Sequence, residues 1–185
     1  MLNKKNIAKI IRVNHAGEFG AKVIYSGQIA ALKLKRDHES VSLVKHMKEQ
    51  EDAHFEYFNQ EILAQKIRPT IMQPLWKIGG FTLGFLTGLI DKKAAMCCTT
   101  AVEEVIDEHY QQQLDLIKKE ESFLNKNERE KIVTLKEKIQ KFRDEELEHR
   151  DIGYEHKAAD LAYFKPLSAL IKFTTKFAIA VSKKI

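Results

Sequence analysis

Cysteine is almost missing from this 185-residue chain: it has two, side by side at Cys97 and Cys98. Adjacent cysteines give neither a disulfide framework nor the Cys-x-x-Cys spacing of a structural zinc site. They are expected as small core fillers in a protein made and kept in a reducing compartment. Proline and glycine are scarce too, at 3 and 8 residues, and with 44% hydrophobic and 31% charged residues in long Leu/Ile/Lys/Glu-rich runs this excludes disorder and disfavours sheet. After the basic start Met1 to Lys5 there is no signal-peptide h-region and no Arg/Ser-rich transit segment. The longest uncharged apolar run, Ile78 to Ile90, holds thirteen residues, whereas a spanning helix needs about twenty. A net charge of +5 and a pI near 9.0 are a mild basic bias that suits an anionic surface without naming one. The length fits one all-α domain over residues 1–185.

Five helical stretches and one glycine-rich apolar segment can be read in order. A helix from about Ile7 to Leu34 carries Ile11, Ala21, Tyr25 and Leu32 on one face together with Glu18. Gly17 and Gly20 inside it mark either a close neighbour or a kink. Asp37 is placed to cap a second helix, to about Lys66, with the stripe Val44, Met47, Glu51, His54, Phe58 and Ile62. Ile78 to Ile90, with four glycines, suits an interfacial or re-entrant segment, or an ordinary buried helix that another helix approaches closely. A third helix, Asp91 to Glu121, puts Glu103 on the face of Met96, Ile106, Tyr110 and Ile117 and turns Glu104 away. Asp107 is either a partner for a histidine or a surface charge. Asn127 and Glu130 resemble a capping box that opens a fourth helix, lasting to about Tyr163. Its stripe is Leu135, Ile139, Phe142, Glu146 and His149, with Glu145 and Glu148 pointing elsewhere. Past Pro166, Lys165, Lys172, Lys176 and Lys183 form a basic stripe opposite Leu167, Leu170, Ile171, Phe177, Ala178 and Val181, interrupted by Ile179. That pattern fits a helix lying on an anionic bilayer, or one covering the bundle with its lysines in water.

The chemistry lies in Glu51-Asp52-Ala53-His54 and Glu146-Leu147-Glu148-His149. Three residues apart on a helix, a carboxylate and an imidazole project to one point, and a metal ion is a partner that suits both. About one residue in ten here is Glu, so seven histidines yield somewhat under one such pair by chance. The order is the stronger signal. Glu18, then Glu51 and His54, then Glu103, then Glu146 and His149 fall on four successive helices, each on the apolar face. That is the donor pattern of a di-iron or di-manganese carboxylate bundle. Four carboxylates and two imidazoles suit Fe or Mn, and the four negative charges balance two divalent ions.

The segments Arg12-Val13-Asn14-His15-Ala16-Gly17-Glu18-Phe19-Gly20-Ala21, Ala95 to Glu104 and Phe142 to His149 resemble the signatures of the demethoxyubiquinone hydroxylase family, the di-iron monooxygenases of ubiquinone biosynthesis. The likeness covers nearly the whole chain, including Arg68-Pro69-Thr70 and Pro74-Leu75-Trp76. It implies a ferritin-like four-helix bundle with added membrane-interface helical segments. Glu18, Glu51, His54, Glu103, Glu146 and His149 would be the iron ligands, some carboxylates bridging. The implied reaction inserts one atom of O2 into the ring of a demethoxylated polyprenyl quinol, with two Fe ions and a reductant such as NADH. Membrane lipid, the polyprenyl quinone, accessory proteins of ubiquinone biosynthesis and a second copy of the chain are the expected partners; nucleic acid is not. The lack of a presequence favours the cytoplasmic side of a bacterial inner membrane over a mitochondrial matrix face. Iron oxidation and storage on the same bundle, or a metal-free membrane scaffold, are the alternatives. Two features depart from the family: Asn14 stands where Asp is usual, and the connection around Lys119 to Lys131 is longer.

Overall fold

The computed structural model describes residues 4–120 and 126–184. Its six α-helices are α1 (Lys4–Leu34), α2 (His38–Ala64), α3 (Gln73–Ile90), α4 (Lys92–Glu120), α5 (Lys126–Glu155) and α6 (Phe164–Ser182), with no strand among the described residues. The helices α1 and α2 pack as one hairpin, α4 and α5 as another, and together they make the bundle; α3 lies along α1, and α6 along α4. This all-helical arrangement accords with a ferritin-like bundle in which one long crossover joins the two hairpins. Each sequence stripe faces inward: Ile11, Tyr25 and Leu32, Val44 and Met47, Met96 and Ile117, Leu135 and Ile139 are all buried. The carboxylates and histidines that interrupt these stripes make a polar band between two apolar clusters.

Local chemistry sets most of the boundaries. The Asp37 side chain accepts a hydrogen bond from the Ser40 amide at 3.0 Å and caps α2 as expected. The helix α5 is shorter at its C-terminus than its stripe suggested. Lys157 adopts a left-handed conformation, φ 64°, and stops the helix at Glu155. A non-glycine residue there costs on the order of 1 kcal/mol, which is offset by turning Ala158 and Leu161 into the core. At the other end α5 already includes Lys126, so Asn127 lies within the helix instead of capping it. Of the longer connection expected around Lys119 to Lys131, residues 121–125 lie outside the described residues and the rest belongs to α4 and α5. Pro166 sits in the first turn of α6, where the lack of an amide hydrogen is harmless. Cys97 and Cys98 are free and fully buried, the core fillers their spacing implied.

The two outer helices differ from expectation in an informative way. The buried face of α3 is Gly84, Thr87 and Gly88, while Leu75, Ile78, Phe81, Leu86, Leu89 and Ile90 are exposed. Small residues inward and large apolar residues outward is the reverse of a helix that covers a soluble core. In α6, Ile171 is buried, Leu170, Phe173 and Phe177 are exposed, and the lysine stripe is turned to α4: Lys172 pairs with Glu104 and Lys176 with Glu108. Those lysines are tied to the protein and are not the free basic face that the sequence suggested. Gly17 makes an ordinary contact with Ile106 and Gly20 has open space beside it, so neither marks the close approach. That role belongs to Gly27 and Gly84. A Cβ on Gly84 would sit 1.9 Å from the Ile24 carbonyl oxygen, and one on Gly27 2.2 Å from that of Phe81.

Candidate metal centre

All six side chains singled out by helical phase arrive in the polar band. Glu18 comes from α1, Glu51 and His54 from α2, Glu103 from α4, and Glu146 and His149 from α5, none more than 3% exposed. They form two overlapping groups. Glu18, Glu51, His54 and Glu146 each offer a donor atom within 4.8 Å of the others, and so do Glu51, Glu103, Glu146 and His149. Glu51 and Glu146 belong to both groups, which is the position of carboxylates shared between two ions. Glu146 stands between the imidazoles: His54 Nδ1 is 3.2 Å from one of its oxygens and His149 Nδ1 3.2 Å from the other.

The electrostatics of this nest are unresolved without a cation. Both oxygens of Glu51 and Oε2 of Glu103 are buried with no hydrogen-bond partner among the described residues. Glu51 Oε1 lies 3.2 Å from His149 Nδ1, within ion-pair distance but without hydrogen-bond alignment. Burial, followed by repulsion from Glu146 and its neighbours, drives the Glu51 and Glu103 carboxyls well above the usual range. For Glu146 burial acts the same way, yet hydrogen bonds from His149 and His54 win and hold it below that range. Burial opposes a charged His54, but its bonds to Glu146 and Glu18 push it up to about 12. His149 is raised by Glu146 against the same opposition. An unpaired buried charge costs several kcal/mol after relaxation, and a domain has only about 5–15 kcal/mol in all. With two imidazoles for four carboxylates, the nest stays compatible with the fold only by taking up protons or a cation. Hard oxygen donors, two imidazoles and vacant lone pairs at the centre fit divalent iron or manganese.

A surrounding ring of hydrogen bonds fixes these donors. The Tyr25 hydroxyl donates to Glu103 at 2.7 Å and the Tyr110 hydroxyl donates to Glu18. Burial and the nearby carboxylates hold both phenols well above their ordinary pKa, so they remain donors. The far nitrogens of the histidines are held as well: His54 Nε2 donates to Glu145 at 2.7 Å and His149 Nε2 donates to Gln50 at 2.8 Å. One expectation is corrected here: Glu145 does not point away but reaches His54 from α5. Of the two readings of Asp107 the surface charge holds, since it accepts from Arg143 Nε at 2.6 Å and no histidine contact is seen among the described residues. Glu104, outside the nest as expected, binds Tyr154 at 2.6 Å and Lys172. Gln50 drew no attention in the sequence and Glu145 was turned away from the site, although each directly precedes a paired glutamate. A narrow cleft lined by Val13, Asn14, Gly17, Ile106, His109 and Ile179 reaches Glu18 and Tyr110 between α1, α4 and α6. On its wall Asn14 and Gln113 exchange amide hydrogen bonds, at 2.9 and 2.7 Å, and Gln113 also donates to His109 Nε2 at 2.7 Å.

Comparison with known proteins agrees with this geometry. The family model described as ubiquinone biosynthesis protein COQ7 matches residues 5–182. A Dictyostelium discoideum protein named NADPH-dependent 3-demethoxyubiquinone 3-hydroxylase, mitochondrial, is 44% identical over 184 residues, covering 100% of this chain and 80% of the relative. The 3-demethoxyubiquinol 3-hydroxylase of Rhodospirillum rubrum is 43% identical over 179 residues, 97% of this chain and 78% of that one. The Saccharomyces cerevisiae 5-demethoxyubiquinone hydroxylase, mitochondrial, is 38% identical over 181 residues, 96% and 77% of the two chains. With a buried carboxylate and histidine nest on four helices and a match that runs almost end to end, the chain belongs to the COQ7 family of ubiquinone biosynthesis proteins.

Proposed function

We propose that this protein is an O2-dependent hydroxylase acting on the ring of a demethoxyubiquinol, with two iron ions held by Glu18, Glu51, His54, Glu103, Glu146 and His149. The observation that carries the reading is the pair of four-membered donor groups sharing Glu51 and Glu146, with neither oxygen of Glu51 hydrogen-bonded among the described residues. The substrate class rests on the names of the relatives. Bound iron supplies the one-electron steps that let O2 react with a closed-shell ring. One oxygen atom replaces a ring hydrogen as a hydroxyl, and the other leaves as water, taking two electrons and one proton from a nicotinamide reductant and a second proton from solvent. The protein side chains orient and insulate. Tyr25 and Tyr110 fix the carboxylates of Glu103 and Glu18, Phe142 covers His54 at a ring distance of 4.1 Å, and the apolar shell keeps bulk water out.

A polyprenyl substrate stays in lipid, so its enzyme works at the bilayer surface. No described helix is long and apolar enough to cross a membrane. The outward faces of α3, with Leu75, Ile78, Phe81 and Leu86, and of α6, with Leu170, Phe173 and Phe177, are the surfaces we assign to the bilayer. The cleft beside Ile179 of α6 that ends at Glu18 has a volume of only about 10 Å³, room for a single water, so entry of the quinol ring at this point requires α6 to shift away from α1 and α4. The test uses protein loaded with Fe(II), vesicles containing demethoxylated quinone, NADPH and 18O2. The expected product is the quinone heavier by one labelled oxygen, with the protein sedimenting with the vesicles. Full iron loading with no labelled product would overturn the reading.

A further inference from the structure

The hydrogen bonds around the nest are laid out crosswise. Tyr25 stands seven residues after Glu18 on α1 and donates to Glu103 of α4; Tyr110 stands seven residues after Glu103 on α4 and donates to Glu18 of α1. Gln50, directly before Glu51 on α2, accepts from His149 of α5; Glu145, directly before Glu146 on α5, accepts from His54 of α2. Each half of the chain therefore steadies the donors of the other. The tyrosines are chemically alike and treat the halves equally. Gln50 and Glu145 are not alike: one is a neutral amide and the other a carboxylate.

We propose that Glu145 and Gln50 make the two metal positions unequal, the one bounded by Glu18 and His54 being the tighter. The proposal rests on the two-metal reading above and goes beyond it by ranking the positions. An imidazole whose Nε2–H is held by a carboxylate gains imidazolate character and is a stronger donor through Nδ1. A charge-assisted bond of this kind is roughly twice as strong as one to a neutral carbonyl. The geometry lets it act: His54 Nδ1 faces Glu18 and Glu146 at 3.3 and 3.2 Å, while Nε2 faces Glu145 at 2.7 Å. At the other position His149 Nδ1 faces Glu51 and Glu146 at 3.2 Å each, and Nε2 has only the Gln50 amide oxygen. Lys141 Nζ, 3.2 Å from the second oxygen of Glu145, draws charge the other way, but its side chain is 63% exposed and the pull is screened by water. Glu145 and Gln50 are positioning residues, since they act through the histidines.

The test is a titration of metal-free protein with Mn(II), which avoids O2 chemistry, following free Mn(II) by electron paramagnetic resonance. Wild type should fill two positions whose affinities differ by about ten-fold or more, the range seen when such outer partners are removed. Glu145→Gln should weaken only the tighter position, bringing the two together, and Gln50→Glu should strengthen only the weaker one. Equal affinities in wild type, or a Glu145→Gln isotherm that is unchanged or shifted equally at both positions, would overturn the ranking while leaving two metals in place. Fewer than two Mn(II) bound by wild type would overturn the two-metal reading itself.

Discussion

His109 shows how far a single residue can depart from its solution behaviour. Burial, with a contribution from the Lys183 charge, lowers its pKa to about 4, and Gln113 donates to its Nε2, a bond that requires that nitrogen to be unprotonated. The unfolded chain binds a proton there near pH 6.5 and the folded chain does not. Stability linked to His109 is therefore present above pH 6.5 and is lost as pH falls towards 4, by roughly 3 kcal/mol over the full window. Urea unfolding at pH 7 and pH 5 should show a smaller pH-induced loss in His109→Gln, by about 2 kcal/mol; identical losses in the two proteins would contradict this. Residue-scale legibility from sequence was high where helical phase decides and poor where side-chain reach does. Phase placed Glu103 and Glu146 inside and left Glu104 half-exposed in a surface pair. It missed Gln50 and Glu145 because their Cβ atoms lie at the stripe's edge while their polar ends cross to another helix. Phase fixes where a side chain starts, not where a long one ends.

At the scale of elements, the packing of α3 along α1 is a close backbone contact, and glycine makes it. Gly84→Ala would drive a methyl group into the Ile24 carbonyl, whereas Gly79→Ala meets nothing within 4 Å. Gly84→Ala should destabilise by about 3 kcal/mol or more, because two backbones must separate. Gly79→Ala should stabilise by about 0.5–1 kcal/mol through helix propensity alone. Chemical denaturation distinguishes these, and equal effects would mean that α3 does not sit where described. The glycines of the Ile78 to Ile90 run were legible as a sign of close approach; which helix approaches was not, since Gly27 lies in a stretch of α1 that gave no signal. Likewise the lysines of α6 were legible as one stripe, but their direction depends on Glu104 and Glu108 of another helix. Periodicity describes one helix at a time and carries no information on partners.

For the molecule as a whole, the repeated order of Glu followed by Glu-x-x-His is what the fold exists to close. Two hairpins, each with three donors, meet so that Glu51 and Glu146 face both of the others' sets. That pattern was visible in the sequence because each donor sat on an apolar stripe, where an unpaired charge has no other reason to be. The large apolar faces of α3 and α6 belong to this scale too, for they are exposed surface of the kind a lipid substrate would share. The most direct test of the whole account is the amount of Fe(II) retained after anaerobic loading and desalting, in wild type and in Glu51→Gln, the shared carboxylate without a hydrogen bond among the described residues. The account predicts about two iron ions per chain in wild type, and a loss of more than half of them in Glu51→Gln with the helical content unchanged. A wild-type protein retaining less than about one ion per chain, or a variant retaining as much as wild type, would contradict it.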